Sequence, residues 1–147
     1  MRINFRVNGI PQTKGSTRAF IPRGWRRPII TNDNPKNKGW AQAVRVMAMG
    51  HSPVGGPWPG PVELLCRFWL KKPKSMSRKR RFWHTRKPDL DKLTRSIKDA
   101  LTGVIYNDDS QIVGLHCFKE YGDEPGVDIE LVNILELSAQ ADLWGGK

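Results

Sequence analysis

The chain has 147 residues, a length that suits one domain with a core of its own. Its net charge of +11 points to a polyanionic partner, nucleic acid first and an anionic membrane surface second. No stretch approaches the roughly 18 apolar residues of a membrane span. The opening MRINFRVNGI interleaves charge with apolar residues, which excludes a secretory signal and favours a cytoplasmic protein.

In chain order, residues 2–9 alternate Ile3, Phe5 and Val7 with Arg2, Asn4 and Arg6, the pattern of a half-buried strand. Residues 11–38 are rich in Pro, Gly, Asn and basic residues, with Phe20, Ile21, Ile29 and Ile30 as material for a short ribbon. From Asn37 to Met49, the spacing of Trp40, Ala43, Val44, Met47 and Ala48 predicts an amphipathic helix. A Pro/Gly loop follows, and VELLCRFWL at 62–70 reads as a strand buried on both faces or nearly so. Residues 71–88 carry nine Lys/Arg and no acid, so the segment repels itself and is expected to be mobile without DNA. Leu90, Leu93, Ile97, Leu101 and Val104 then form one apolar helical stripe, with Asp89 placed to cap it and Gly103 to end it. After the turn YNDDS, residues 111–121 and 126–136 read as two strands joined as a hairpin by GDEPG. The order β-α-β-α-β-β implies a single α/β (α+β) domain over 1–147, a mixed sheet with helices packed on it, and a tail at 138–147. Cys66 and Cys117 lie in strand-like runs without zinc-type spacing and read as reduced packing residues, with a disulfide as the alternative.

Charge is divided along the chain. Residues 1–87 hold 20 Lys/Arg and two acids, and residues 88–147 hold five Lys/Arg and 12 acids. This suggests one surface for a polyanion and another for a cation. The acids gather in KPDLDKLTRSIKDALTGVIYNDDSQIV, residues 87–113. Carboxylates two apart, as in Asp89 and Asp91, can converge on one cation where the backbone bends. Asp108 and Asp109 approach the same point if the strand after them brings the turn back to the helix start. Such a group suits Mg²⁺, which takes oxygen ligands and can activate water and neutralise charge on a phosphodiester. A neighbouring base, Arg95 or Lys98, could hold the scissile phosphate. Taken singly, the motifs have plainer readings. Asp-Leu-Asp also serves helix capping, Asn-Asp-Asp-Ser serves a turn, and Asp99 can pair with Arg95 on the helix surface. His84 and His116 read as surface or sheet residues. Phe82 and Trp83 could stack on bases or pack on the core.

The stretch HTRKPDLDKLTRSIKDALTGVIYNDDSQIV closely resembles the signature of RusA-type Holliday-junction resolvases. In that family a basic run leads into P/R-D-L-D-N-L, a helix ending in D-A-L, and D-D-x-Q-V/I. GIPQTKGSTRAF is similar to the family's P-x-x-K-x-R-x-R opening, and KGWAQAVRVMA to its following helix. The resemblance implies a small homodimeric endodeoxyribonuclease that resolves four-way junctions with paired symmetric nicks. It implies Mg²⁺, with Mn²⁺ as a substitute, held by Asp89, Asp91 and Asp109, with Asp108 as a nearby acid. Arg95 stands where the best-known members carry a lysine, so phosphate binding survives while proton donation is put in doubt. Lys92 replaces the usual Asn. The expected DNA-binding set is Lys14, Arg18, Lys71, Lys72, Lys74, Arg78, Lys79, Arg80, Arg81, Arg86, Lys87, Lys92 and Lys98. A non-catalytic architectural DNA-binding protein and a nuclease for other branched DNA are the competing readings.

Overall fold

The computed structural model describes residues 1–15, 17–32, 34–76 and 83–135. The first strand, β1 (Arg2–Asn8), buries Ile3, Phe5 and Val7 as its alternation predicts. A two-stranded ribbon, β2 (Thr17–Phe20) and β3 (Ile29–Asn32), leads into helix α1 (Asn37–Met49). The core strand β4 (Val62–Lys71), helix α2 (Leu90–Leu101), β5 (Ile112–Gly122) and β6 (Gly126–Asn133) complete the elements, with a one-turn 3-10 segment at Asp109–Gln111 before β5.

Four strands form one sheet in the order β1-β6-β4-β5. β4 runs parallel to β5, with Leu64 opposite Leu115 and Cys66 opposite Cys117, and antiparallel to β6. A parallel pair needs a crossover connection, and α2 is that connection. The expected hairpin of β5 and β6 does not form, because β4 lies between them. Both strands satisfy their alternation equally well beside β4, whose apolar run earns the central place. The turn 123–125 spans the end of β4, from Gly122 opposite Lys71 to Gly126 opposite Trp69. Four peptide units reach about 13 Å, enough to step over one strand at roughly 4.8 Å spacing on each side. Glycine is required at the landing, since a Cβ on Gly126 would lie 2.6 Å from the Val7 carbonyl oxygen.

β4 is one-sided, which corrects the expectation of burial on both faces. Val62, Leu64, Cys66, Phe68 and Leu70 point into the core, while Glu63, Leu65, Arg67 and Trp69 occupy the other face. The core lies between the helices and the inward face. α1 contributes Trp40, Val44 and Ala48, and α2 contributes Leu93, Ile97, Ala100 and Leu101. Ala43 and Met47, expected on the buried stripe of α1, are exposed, so α1 touches the core on a narrower four-residue repeat. The buried Ser96 hydroxyl donates to Asn37 Oδ1, joining the two helices through a satisfied polar pair.

The open face of the sheet gathers the two halves of the chain's charge. Arg2 pairs with Glu130 at 3.0 Å, Arg6 with Asp128 at 3.2 Å, and Arg67 with Glu120 at 3.5 Å. His116 faces Glu63 at 3.2 Å. The segregation read along the chain is therefore largely undone by strand pairing, and much of the acid is spent on intramolecular partners rather than on a separate cation-binding surface.

The basic segment before α2 is less free than its charge suggests. Trp83 bridges to Glu120, and the His84 amide donates to the Lys119 carbonyl at 3.3 Å. His84 is buried against Tyr121, with ring centroids 4.7 Å apart, so of the surface and sheet readings its sequence allowed the sheet one holds. Burial first, and then the Lys119 charge, lower its pKa. Residues 77–82 of this segment and the tail 138–147 lie outside the described residues, so the mobility expected of them and any contact of Phe82 do too.

Candidate active site

Asp89 occupies the residue before α2 with extended backbone, φ −72° and ψ 138°. Its side chain makes no capping hydrogen bond, so the plain reading of Asp89 as a helix cap fails. Its nearest partner is the Lys92 ammonium, at 4.0 Å. Leu90 turns inward to pack against the core, which leaves Asp89 and Asp91 on the solvent side. Asp91 is exposed in the first helical turn, and its carboxylate has no hydrogen bond or ion pair among the described residues.

Asp91 stands at a groove between α2 and the edge strand β5. Leu90, Asp91, Thr94, Arg95 and Lys98 form one wall and Leu115 and Cys117 the other, enclosing about 490 Å³. Thr94 turns its hydroxyl back to the Leu90 carbonyl at 2.8 Å, so it presents no competing donor. Arg95 is exposed and, among the described residues, unpaired. The pairing of Arg95 with Asp99 considered from sequence does not form, because Asp99 binds the Lys14 ammonium instead. On the β5 wall Cys117 lies beside the fully buried Cys66, both as free thiols. Cys66 and Cys117 face each other across the β4–β5 register, close enough for the Cys66 thiol to share its proton with Cys117. That hydrogen bond first, and then burial, push Cys66 well up, while the same bond pulls Cys117 down from 9.0 to about 7.

Asp109 joins the groove from its far end. It meets α2 at Lys98, whose ammonium lies 3.9 Å from its carboxylate. Asp91 and Lys98 are seven residues apart, roughly 10 Å along the axis. The strand after the turn does pair with the strand ending at Leu70, but in parallel, so the turn returns beside Val62 and the end of α2. Within α2 the contact of Asp109 is with Lys98, about two turns beyond the Asp91 end at which the sequence reading placed it. Among the described residues no three His, Cys, Asp or Glu side chains gather as a metal-binding group.

Asp108 is engaged in structure. Its carboxylate accepts from the Ser110 amide at 2.9 Å, which holds its pKa below the usual 3.8. Gln111 completes the turn. Its Oε1 accepts from the Asn107 and Asp108 amides at 2.8 and 2.9 Å, and its Nε2 donates to the Trp58 and Gly60 carbonyls at 2.7 and 2.9 Å. Tyr106, fully buried, donates to the Lys98 carbonyl at 2.7 Å, and burial raises its pKa. Lys119 of β5 donates to the Arg86 and Pro88 carbonyls at 2.7 and 2.8 Å, fixing the approach to Asp89. Sequence reasoning missed Gln111, Tyr106, Lys119 and Cys117. A lone base in the β5 alternation was the signal available for Lys119; the others depend on pairing.

Of the expected DNA-binding residues, Lys71, Lys74, Arg86 and Lys87 are exposed, the last two just ahead of α2, and Lys72 and Lys92 are half-buried. Lys14 is tied to Asp99 and Lys98 faces Asp109, so both arrive partly neutralised. Arg78, Lys79, Arg80 and Arg81, and the Arg18 side chain, lie outside the described residues. A larger hollow of about 740 Å³ sits at the β5–β6 turn, lined in part by Arg6, Lys72, Glu120, Asp123 and Glu124. Its three carboxylates repel a phosphate, and the groove along α2 is the better site.

The profile of the family Endodeoxyribonuclease RusA matches residues 11–132. An uncharacterized protein of Bacillus subtilis (strain 168), YqaN, is 35% identical over 146 residues, covering 93% of this chain and 98% of its own. The crossover junction endodeoxyribonuclease rusA of Lactococcus phage r1t is 35% identical over 77 residues, 50% of this chain and 56% of its own. The chain belongs to the RusA endodeoxyribonuclease family, and it is an enzyme that hydrolyses DNA internally.

Proposed function

We propose that the protein resolves Holliday junctions in the cytoplasm as a homodimer, with one Mg²⁺-dependent nick from each copy. The observation that carries this reading is that Asp91 and Arg95, both exposed and lining one groove of α2, have no partner among the described residues, with Arg86 and Lys87 exposed just ahead of the helix. One chain carries one Asp-Leu-Asp, so paired symmetric nicks need two copies. No helix among the described residues is long and apolar enough to cross a membrane.

The donor set fits Mg²⁺. Asp89 and Asp91 are solvent-facing hard oxygen donors, and this ion is commonly held by one or two carboxylates with water and substrate phosphate completing its shell. When bound, it supplies a more acidic water and charge neutralisation at the phosphate. Asp109 takes part from the other end of the groove. Arg95 holds the scissile phosphate through its planar fork. Lys98, with Asp109 as its counter-charge, steadies the strand running along the groove. Lys119, through the Arg86 and Pro88 carbonyls, positions Asp89 rather than touching DNA.

Cleavage of a synthetic four-way junction, with Mg²⁺ or EDTA and beside Asp91→Asn, tests the reading. Paired symmetric nicks that need the ion and vanish in the variant are expected. Tight junction binding without nicking under any divalent ion would overturn it in favour of an architectural protein. Faster cutting of flaps than of junctions would redirect it to another branched substrate.

A further inference from the structure

The ribbon of β2 and β3 pairs with no other strand among the described residues. Its connection is a closed turn, Pro22-Arg23-Gly24-Trp25, in which the Trp25 amide donates to the Pro22 carbonyl at 3.0 Å. Gly24 has φ +88°, the left-handed conformation that the third position of a type II turn demands. Trp25 is therefore held at the tip by a defined turn, with Pro28 stiffening the return to β3. The ribbon buries little. Trp25 is 60% exposed, Ile21 62%, Phe20 49% and Ile30 70%. Arg23, Arg26 and Arg27 are exposed around the indole, and residues 17–32 contain four arginines and no acid.

Uncovered apolar groups of this size mark a contact surface. The arginines set the sign of the partner, because a cationic surface is repelled and a polyanion is attracted. The ribbon is also rooted at the candidate site. The Lys14 amide donates to the Lys92 carbonyl at 3.2 Å, one residue beyond Asp91, and the Asn34 side chain donates to the Thr13 carbonyl at 3.0 Å on the returning strand. Eleven residues from Lys14 to Trp25 reach at most about 36 Å, within one turn of duplex DNA from the groove.

We propose that Trp25 is a branch-point wedge: its indole stacks on a base left without a neighbour at the centre of a DNA junction, and Arg23, Arg26 and Arg27 hold the phosphates around it. The inference rests on the junction-resolving reading and adds the element that distinguishes branched from linear DNA. In continuous duplex every base is already stacked, and inserting an indole costs the unstacking of a step. Where strands exchange, a base face is available at little cost, and the stacking is gained nearly in full. The ribbon therefore adds affinity at a junction and little along an arm.

The test uses the full chain with Ca²⁺ in place of Mg²⁺, so that binding is read without cutting. A four-way junction carries 2-aminopurine either at the branch point or inside an arm, and a linear duplex serves as comparison. Wild type should change the emission at the branch point and not in the arm. Trp25→Ala should lose that change and about tenfold of junction affinity, with duplex affinity kept, and Trp25→Phe should retain most of both. Circular dichroism and melting temperature of the variants show that the fold is intact. An unchanged signal and junction-to-duplex ratio in Trp25→Ala would overturn the proposal, as would an equal loss on both DNAs. Failure of the resolvase reading shows separately, as absence of wild-type nicking with Mg²⁺ whatever the fluorescence does.

Discussion

Asp89 and Asp91 at the head of α2, and Asp108 and Asp109 in the turn before β5, are two acidic pairs of nearly equal appearance in the sequence. The structure treats them differently. Asp91 is exposed and has no partner among the described residues, and Asp89 forgoes the capping bond its position allows. Asp108 is spent on the Ser110 amide, and Asp109 faces Lys98. An exposed acid with no partner among the described residues is available to an outside cation, whereas an acid satisfied by a neighbouring amide has a local purpose. The comparison assigns chemistry chiefly to the first pair and architecture to half of the second.

The largest expected effect breaks that comparison if it fails. Asp91→Asn should reduce junction nicking by about 10³-fold, the scale on which a group stabilising developing charge acts. Junction affinity measured in Ca²⁺ should hold or rise, since a charge that repels phosphate is gone. Next comes Gln111→Ala, which removes four hydrogen bonds and so about 2–3 kcal/mol of stability. Thermal unfolding should report a fall of roughly 6–10 °C. Nicking by the folded fraction should fall less than in Asp91→Asn, because Asp109 is loosened and not lost. Asp108→Asn should cause a smaller fall in melting temperature. Its carboxyl has a folded pKa below 3.8, so its contribution is present above that pH and is lost as pH drops through the folded value. The deficit of the variant should accordingly be visible at pH 7 and shrink in acid. The smallest effect concerns the β5 wall of the groove. Iodoacetamide should label Cys117 with a rate that rises through about pH 7 rather than near 9, and Cys66→Ala should move that rise upward.

Local pattern was sufficient to place β1, α1, β4, α2, β5 and β6, although the continuous apolar run of β4 hid its one-sided burial and the buried stripe of α1 proved narrower than its spacing suggested. Strand order was not local. Nothing within residues 111–136 says that β4 will part β5 from β6, because that depends on which strand best tolerates two neighbours. The same limit applied to the site. The Asp-Leu-Asp motif and the helix beneath it could be read directly. The position of Asp109 relative to Asp91 followed from the parallel register of β4 and β5, and so did the presence of Cys117 on the groove wall. The ribbon tip escaped notice because Trp25 sits among prolines and arginines without periodicity, and only its turn and exposure distinguish it.

β5 has a hydrogen-bonded neighbour on one side only, over most of its length, and Lys119 ties that strand to the carbonyls ahead of Asp89. An edge strand of the sheet is thus mechanically linked to the acid pair. Fraying at this edge would let go of the approach to α2 and of one groove wall together. Amide exchange along residues 112–121 consequently gauges how often the site is assembled, and DNA lying in the groove should slow it there before anywhere else in the sheet.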